Sequence, residues 1–266
     1  MPSELRALYV DLDNTLLGRN ASIFHDGDGR LTNLGMRAIE ACHRAGVEVV
    51  IMSGRRRAQV MEDARLLGTQ AYIFEAGAAV IDGPDEEWLT EPWFPDEGLG
   101  TVHEQVAATG AADLLLDRYH PELEWHDPWH RDRDVSHLFR GTIDARDATA
   151  LLQEHGHSDL RLIDNGSIGR DGMNAYHLVP AGVSKGRAVA RHMRVRGLEP
   201  EACIAVGDSR EDLTVAEHVG TFWLVANALD RDPLLVGSLP RNARVAEAGH
   251  GPGVYEAVVT ELAERR

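Results

Sequence analysis

The sequence predicts an α/β protein: a Rossmann-like parallel-sheet core interrupted by an inserted α+β unit. Three observations lead there. Short apolar runs that end in polar residues alternate with helical stretches over residues 5–82. That rhythm breaks after Asp82 and resumes at Lys185. The polar residues also collect at the C-terminal ends of the apolar runs, where open α/β sheets bind their ligands.

Leu5–Val10 is a largely apolar run closed by Asp11, as suits a strand buried on both faces. Leu31–Gly46 carries apolar residues at Leu34, Ile39 and Cys42 and stops at a glycine, which predicts a helix. Val47–Met52 reads as a second buried strand, ending at Ser53-Gly54. Arg56–Leu67, closed by Gly68, predicts a helix, and Ala71–Phe74 a third strand. Right-handed crossovers turn this β-α-β-α-β order into a parallel sheet with helices on both faces.

Residues 83–100 are rich in Gly, Pro, Asp, Glu and Trp. Beyond them, His103–Thr109 and Ala145–His155 predict helices. Leu114–Tyr119, Leu138–Ile143, Leu160–Asp164 and Ala175–Val179 predict extended pieces of a partly exposed antiparallel sheet. From Lys185 the core rhythm returns, with helices at Gly186–Val195 and Asp212–Val219 and strands at Cys203–Val206 and Thr221–Val225. The expected division is a core of residues 1–82 and 180–266 around an inserted unit of residues 83–179.

The chain of 266 residues has a formal net charge of −16, which argues against a nucleic-acid partner. No apolar stretch approaches the roughly 20 residues needed to span a bilayer, and MPSELRALYV does not resemble a signal peptide. Cys42 and Cys203 sit in apolar contexts and read as buried thiols. The expectation is a cytoplasmic protein without membrane or nucleic-acid partners; its oligomeric state is not encoded in any readable feature.

Four polar clusters fall at predicted strand ends or beside them: Asp11-Leu12-Asp13-Asn14-Thr15, Ser53-Gly54-Arg55, Lys185, and Gly207-Asp208-Ser209-Arg210-Glu211-Asp212. Asp11 and Asp13 are two apart and share a face on extended chain. Several carboxylates in one cleft push each other toward protonation unless a cation lies among them. A hard dication with oxygen ligands, such as Mg²⁺ with waters and a substrate phosphate, resolves that conflict.

Taken in order, these four clusters resemble the four motifs of the haloacid dehalogenase superfamily. The match covers the core, and the insertion between the second and third motifs is similar to the type-two (C2B) cap. Sugar-phosphate, mannosyl-phosphoglycerate, sucrose-phosphate and phosphoglycolate phosphatases and phosphomannomutase share that cap type. The resemblance implies a Mg²⁺-dependent phosphatase working through an aspartyl-phosphate. Asp11 would be the nucleophile and Asp13 the general acid and base. Asp11, the Asp13 backbone carbonyl and Asp208 would hold the metal, with Asp212 supporting that shell. Ser53 and Lys185, aided by backbone groups near Gly54, would bind the phosphoryl oxygens, with Arg55 and Asn227 as further substrate contacts. The substrate would be a small phosphate ester, a sugar phosphate or sugar-acid phosphate. A phosphomutase of the same fold is the alternative, and a non-catalytic phosphate-binding module is disfavoured by the complete motif set.

Lys185 is the single lysine among 27 basic side chains. A compact ammonium fits a crowded acidic pocket where the planar guanidinium fork needs more room. That explains a lysine surviving only here.

Other features point less clearly to chemistry. His126-Asp-Pro-Trp-His130 has the histidine spacing of a zinc helix, but Pro128 breaks the helix and the glutamate is missing. Asp26-Gly-Asp-Gly29 reads as a polar turn rather than a calcium loop. Trp88, Trp93, Trp125 and Trp129 could pack the small inserted unit or wall the substrate site. Arg131, Arg133, Arg170 and His126 are candidates for gripping a second anionic group. Glu75-Ala76-Gly77-Ala78 lacks the asparagine of several relatives of this family, which weakens any carry-over of sugar contacts there.

Overall fold

The structure, a computed structural model, describes residues 3–168 and 172–265. The chain runs through β1 (Ala7–Asp11), α1 (Leu34–Arg44), β2 (Glu48–Met52), α2 (Arg57–Leu67), β3 (Ala71–Phe74), β4 (Ala79–Asp82), β5 (Asp85–Trp88), α3 (Val102–Ala108) and α4 (Ala111–Tyr119). It continues through β6 (Leu123–Trp125), β7 (His137–Gly141), α5 (Ala145–Glu154), β8 (Leu160–Ile168), β9 (Met173–Pro180) and α6 (Lys185–Arg196). The last elements are β10 (Cys203–Gly207), α7 (Arg210–Leu213), β11 (Thr221–Leu224), α8 (Asn227–Arg231), β12 (Ala243–Val245) and α9 (His250–Glu264).

The main sheet has eight strands in the order β12-β11-β10-β1-β2-β3-β4-β5. It is parallel from β12 to β3, and β4 and β5 add an antiparallel edge. β1, the earliest strand, lies centrally between β10 and β2, fully buried, as its apolar composition demands. Apolar side chains alternate to the two sheet faces. Leu8, Val10 and Ile51 meet α1, α2 and α9 on one side. Tyr9, Val50 and Met52 meet α6 and the segment around Val215 on the other.

A second sheet, β6-β7-β9-β8, is wholly antiparallel. One face packs α3, α4 and α5 through Phe139, Leu152, Leu162, Tyr176 and Leu178. The alternate residues Leu138, Ala175 and His177 turn to the opposite face and line a cavity shared with the main sheet's C-terminal edge.

Three expectations need correction. Leu114–Tyr119, expected as extended, is the second half of helix α4. A short apolar run cannot separate strand from buried helix by period, and here the preceding alanines and the burial of Leu115 against the second sheet favour the helix. The strand at Asp85–Trp88 falls on the inserted side of the expected boundary, yet it completes the core sheet by pairing with β4. The helix expected at Asp212–Val219 is one short α-turn, Arg210–Leu213, followed by a 3₁₀ turn at Thr214–Glu217. The tryptophans divide. Trp88 packs edge-on against Phe74, Trp125 lies against Phe139, and Trp129 lines the cavity. Cys42 and Cys203 are buried and free, with burial pushing both thiols up to about 12.

Candidate active site

Asp11 is the last residue of β1 and is almost fully buried. Past it the chain bends sharply: Leu16 and Leu17 donate back to the Asp11 and Leu12 carbonyls, and Asn14 takes a φ of 63°. Asp208 follows β10, and Asp212 lies one turn further on. Each of these three carboxylates offers an oxygen within 4.8 Å of the other two.

Lys185, 1% exposed at the start of α6, ties the group together. Its Nζ donates to Asp11 Oδ1 at 2.7 Å and to Asp212 Oδ1 at 2.7 Å. The other Asp212 oxygen accepts from the backbone N–H groups of Asp208 (3.1 Å) and Ser209 (2.9 Å) and from the Ser209 hydroxyl (2.7 Å). Asp212 therefore closes the capping box of α7 and holds the lysine with one carboxylate. Asp208 accepts from the Thr15 hydroxyl at 2.9 Å and pairs with Arg231 on α8.

Burial raises Asp11 well above the ordinary carboxylate range; Lys185 opposes that shift, and Asp212 and Asp208 add to it. Burial likewise raises Asp208, against the pull of Arg231. Burial works against the charge on Lys185, but Asp11 and Asp212 more than offset it and hold the ammonium protonated. Three carboxylates face two cations, Lys185 and Arg231, so with all three ionised one negative charge is left without a partner in this buried cluster. An all-oxygen donor set with that surplus fits a hard dication. Asp11, Asp208 and Asp212 are the side chains that would hold it.

Asp13, expected to offer the metal its backbone carbonyl, keeps its carboxylate apart from the other three. Arg55 grips both its oxygens, Nε to Oδ2 at 2.8 Å and Nη2 to Oδ1 at 2.7 Å, and reaches Asp63 at 2.8 Å with its remaining nitrogen. Arg55 was expected on substrate; its guanidinium is instead committed to positioning Asp13. Ser53 is buried and accepts from the Arg55 N–H at 3.1 Å, while Gly54 and Arg55 line the cavity itself. Asn227 is a brace rather than a cavity wall. It donates to the Asn14 carbonyl at 2.9 Å and accepts from the His250 N–H at 2.8 Å, joining the loop after β1 to the start of α9.

The cavity above these groups has a volume of about 780 Å³ and reaches from Asp11 and Lys185 to His126, Trp129, Asn165 and His177 on the second sheet's side. Of the expected anion-gripping residues, Arg133 is buried and bonded to the Gly54 carbonyl (3.1 Å) and Ser136 Oγ (2.9 Å). Arg131 pairs with Asp127 at the surface. His126 lines the cavity, and burial lowers its pKa. Arg170 lies outside the described residues. The turn Asp26–Arg30 is held by Asp26 Oδ1 accepting from Asp28 and Arg30, without calcium-loop geometry.

Three residues escaped the sequence reading. Arg231 clamps Asp208 from outside any motif position that spacing could flag, whereas Thr15, which holds the same carboxylate, ends the first motif. His177 and Asn165 face the site only because two antiparallel strands carry them there. Glu75 was singled out for its motif but not for its contacts. Its buried carboxylate accepts from the N–H groups of Asp134 (2.8 Å), Val135 (3.2 Å) and Ser136 (2.6 Å), tying β3 to the segment before β7.

A Rossmann-like sheet with an acidic, lysine-bridged pocket at its C-terminal edge, roofed by an antiparallel sheet inserted in the chain, defines a hydrolase core of a known kind. The chain belongs to the haloacid dehalogenase-like hydrolases, whose family model matches residues 8–115 and 129–231. It is 29% identical over 257 residues to a phosphoglycolate phosphatase of Methanoculleus marisnigri, covering 96% of this chain and 95% of that one. The fold is similar to that of a sucrose-phosphatase from Synechocystis solved with sucrose and phosphate. That TM-score is 0.66, with 17% identity and coverage of 97% and 98%. A subclass IIB sugar phosphatase of the haloacid dehalogenase superfamily matches with a TM-score of 0.62 and 15% identity, covering 97% of this chain and 98% of that one.

Proposed function

We propose that the protein is a Mg²⁺-dependent phosphomonoesterase acting on a small phosphorylated metabolite through a phosphorylated Asp11. One observation supports this most: the Lys185 ammonium bridges Asp11 and Asp212 at 2.7 Å each, on the floor of a cavity of metabolite size. Lys185 bonds Oδ1 of Asp11 and leaves Oδ2 for attack. In the first step Oδ2 attacks phosphorus, the bond to the leaving oxygen breaks, and Asp13 gives that oxygen its proton. In the second, Asp13 takes a proton from water, the hydroxide attacks phosphorus, and the Asp11–phosphorus bond breaks to release phosphate. Lys185 and the N–H groups around Gly54 hold the phosphoryl oxygens, and Arg55 fixes the direction of Asp13. A bound Mg²⁺ would neutralise charge on the phosphoryl group and on Asp11, Asp208 and Asp212.

The relatives include a phosphoglycolate phosphatase and a sucrose-phosphatase, which supports small acid or sugar leaving groups. The second sheet and its helices act as a cap that selects the leaving group; we set its start after Trp88, since β5 completes the core sheet. No helix among the described residues is long and apolar enough to cross a membrane, and the free buried thiols support a reducing, cytoplasmic setting. Asp11→Asn should abolish hydrolysis of p-nitrophenyl phosphate in Mg²⁺ while the circular dichroism spectrum stays native. Near-normal turnover by that variant would reject the mechanism. Release of inorganic phosphate from a hexose 1-phosphate, rather than formation of the 6-phosphate, separates this reading from a mutase.

A further inference from the structure

The cavity wall opposite Asp11 contains a hydrogen-bond pattern whose proton positions can be deduced. Glu75 is a carboxylate and only accepts; the Ser136 hydroxyl lies 2.8 Å from its Oε2 and spends its one proton there. Arg133 donates to Ser136 Oγ at 2.9 Å. His177 Nδ1 lies 3.1 Å from the same oxygen, which has no proton left to give. His177 therefore carries its hydrogen on Nδ1, and Nε2 is a bare acceptor. Burial, with the charges of Arg133 and Lys185, keeps the imidazole neutral.

Nε2 has no protein partner among the described residues and points at Gly54, where an added Cβ would come within 2.9 Å of it. No ligand atom can occupy that position, which is within bonding distance of the Gly54 Cα, but it also lies 2.7 Å from Asn165 Nδ2, so the two nitrogens are neighbours over Gly54 and a ligand atom that meets both sits further out, on the cavity side. Asn165 reaches it through a register shift between Asp164 and Ser167 in the β8–β9 pair. Asn165 Nδ2 faces this side of Gly54, while its Oδ1 is buried without a protein partner among the described residues. Both residues line the cavity that holds Asp11 and Lys185.

We propose that His177 and Asn165 read a hydroxyl group on the substrate's leaving portion. A hydroxyl donates to Nε2 and accepts from Nδ2 at once. A carboxylate there can accept from Asn165 but sets its lone pairs against those of Nε2. The site thus selects polyol or sugar monophosphates over the acid phosphoglycolate. The inference rests on the phosphomonoesterase reading above.

Steady-state kcat/KM with Mg²⁺ for glucose 6-phosphate, glycerol 3-phosphate, phosphoglycolate and p-nitrophenyl phosphate tests it. The wild-type enzyme should favour a hydroxylated substrate over phosphoglycolate by at least about tenfold. In His177→Phe the ratio of glucose 6-phosphate to p-nitrophenyl phosphate should fall about tenfold, chiefly through KM, and His177→Gln, which keeps an acceptor, should restore part of it. Asn165→Leu, at a partly exposed position, should lower the same ratio and decides the matter if the buried variant misfolds. Equal or better turnover of phosphoglycolate by the wild type, or an unchanged ratio in both variants, overturns the proposal. Failure to hydrolyse any of the four esters overturns the phosphatase reading beneath it.

Discussion

Lys185 shows how one side chain can be specified by space and charge together. It is held between Asp11 and Asp212 by two short hydrogen bonds on the floor of the cavity, a place that suits a compact ammonium better than a planar fork. Lys185→Arg should keep the charge and lose activity by at least about a hundredfold, measured as kcat on p-nitrophenyl phosphate. Lys185→Met leaves two buried carboxylates unpaired and should cost about 3–5 kcal/mol in chemical denaturation, unless Mg²⁺ is present to take the cation's place. Arg55 acts through Asp13. Arg55→Leu should reduce kcat by about tenfold to a hundredfold with a smaller change in KM, because it frees the acid's orientation without touching the phosphoryl site.

At the scale of elements, the site depends on strand ends and helix starts meeting without spare volume. Helix α6 begins with Ser184 capping the Arg187 N–H at 3.1 Å, which sets Lys185 in the first turn. The turn Glu75–Gly77 presses against that start. Gly77 has a φ of 102°, and a Cβ there would fall 2.2 Å from the Ser184 carbonyl oxygen and 2.7 Å from the Lys185 nitrogen. Gly77→Ala should therefore destabilise the fold by about 2–4 kcal/mol and lower kcat as well, since relief of the clash displaces Lys185. Thermal melts and turnover on one preparation check both effects. If the melting temperature falls with kcat intact, the turn is structural only.

The whole molecule carries opposed titrations. Burial lowers His177, and takes His137 down to about 3. The unfolded chain takes up those protons below about pH 6.5 and the native state does not, so each such histidine removes stability as pH falls. The slope is about 1.4 kcal/mol per pH unit per histidine. Against the wild type, His137→Asn should shift the change in urea midpoint between pH 6.5 and 4.5 toward greater stability at the acid end, and an unchanged profile would reject this account. Asp11 and Asp208 are raised instead, so their contribution is present at low pH and lost as pH rises to neutrality. A dication relieves that cost. At a hundredfold excess over its Kd, Mg²⁺ should stabilise the protein by about 2.7 kcal/mol at pH 7, raising Tm, and Asp208→Asn should abolish the rise.

Much of this molecule could be read from one chain. The buried strands of the core announce themselves as apolar runs, because a strand covered on both faces needs nothing else. The residues Asp11, Asp208, Asp212 and Lys185 follow, because chemistry at a sheet's C-terminal edge places polar groups just past those runs. Local periodicity could not show that residues 111–119 form a helix, or that Asp85–Trp88 finishes the core sheet, because both outcomes depend on what packs alongside. Nor could it show that Arg55 holds Asp13, that Arg231 faces Asp208, or that the His177 proton sits on Nδ1. Those facts belong to contacts between residues 23 to 42 positions apart on separate elements, and only the closed fold brings them within hydrogen-bonding distance.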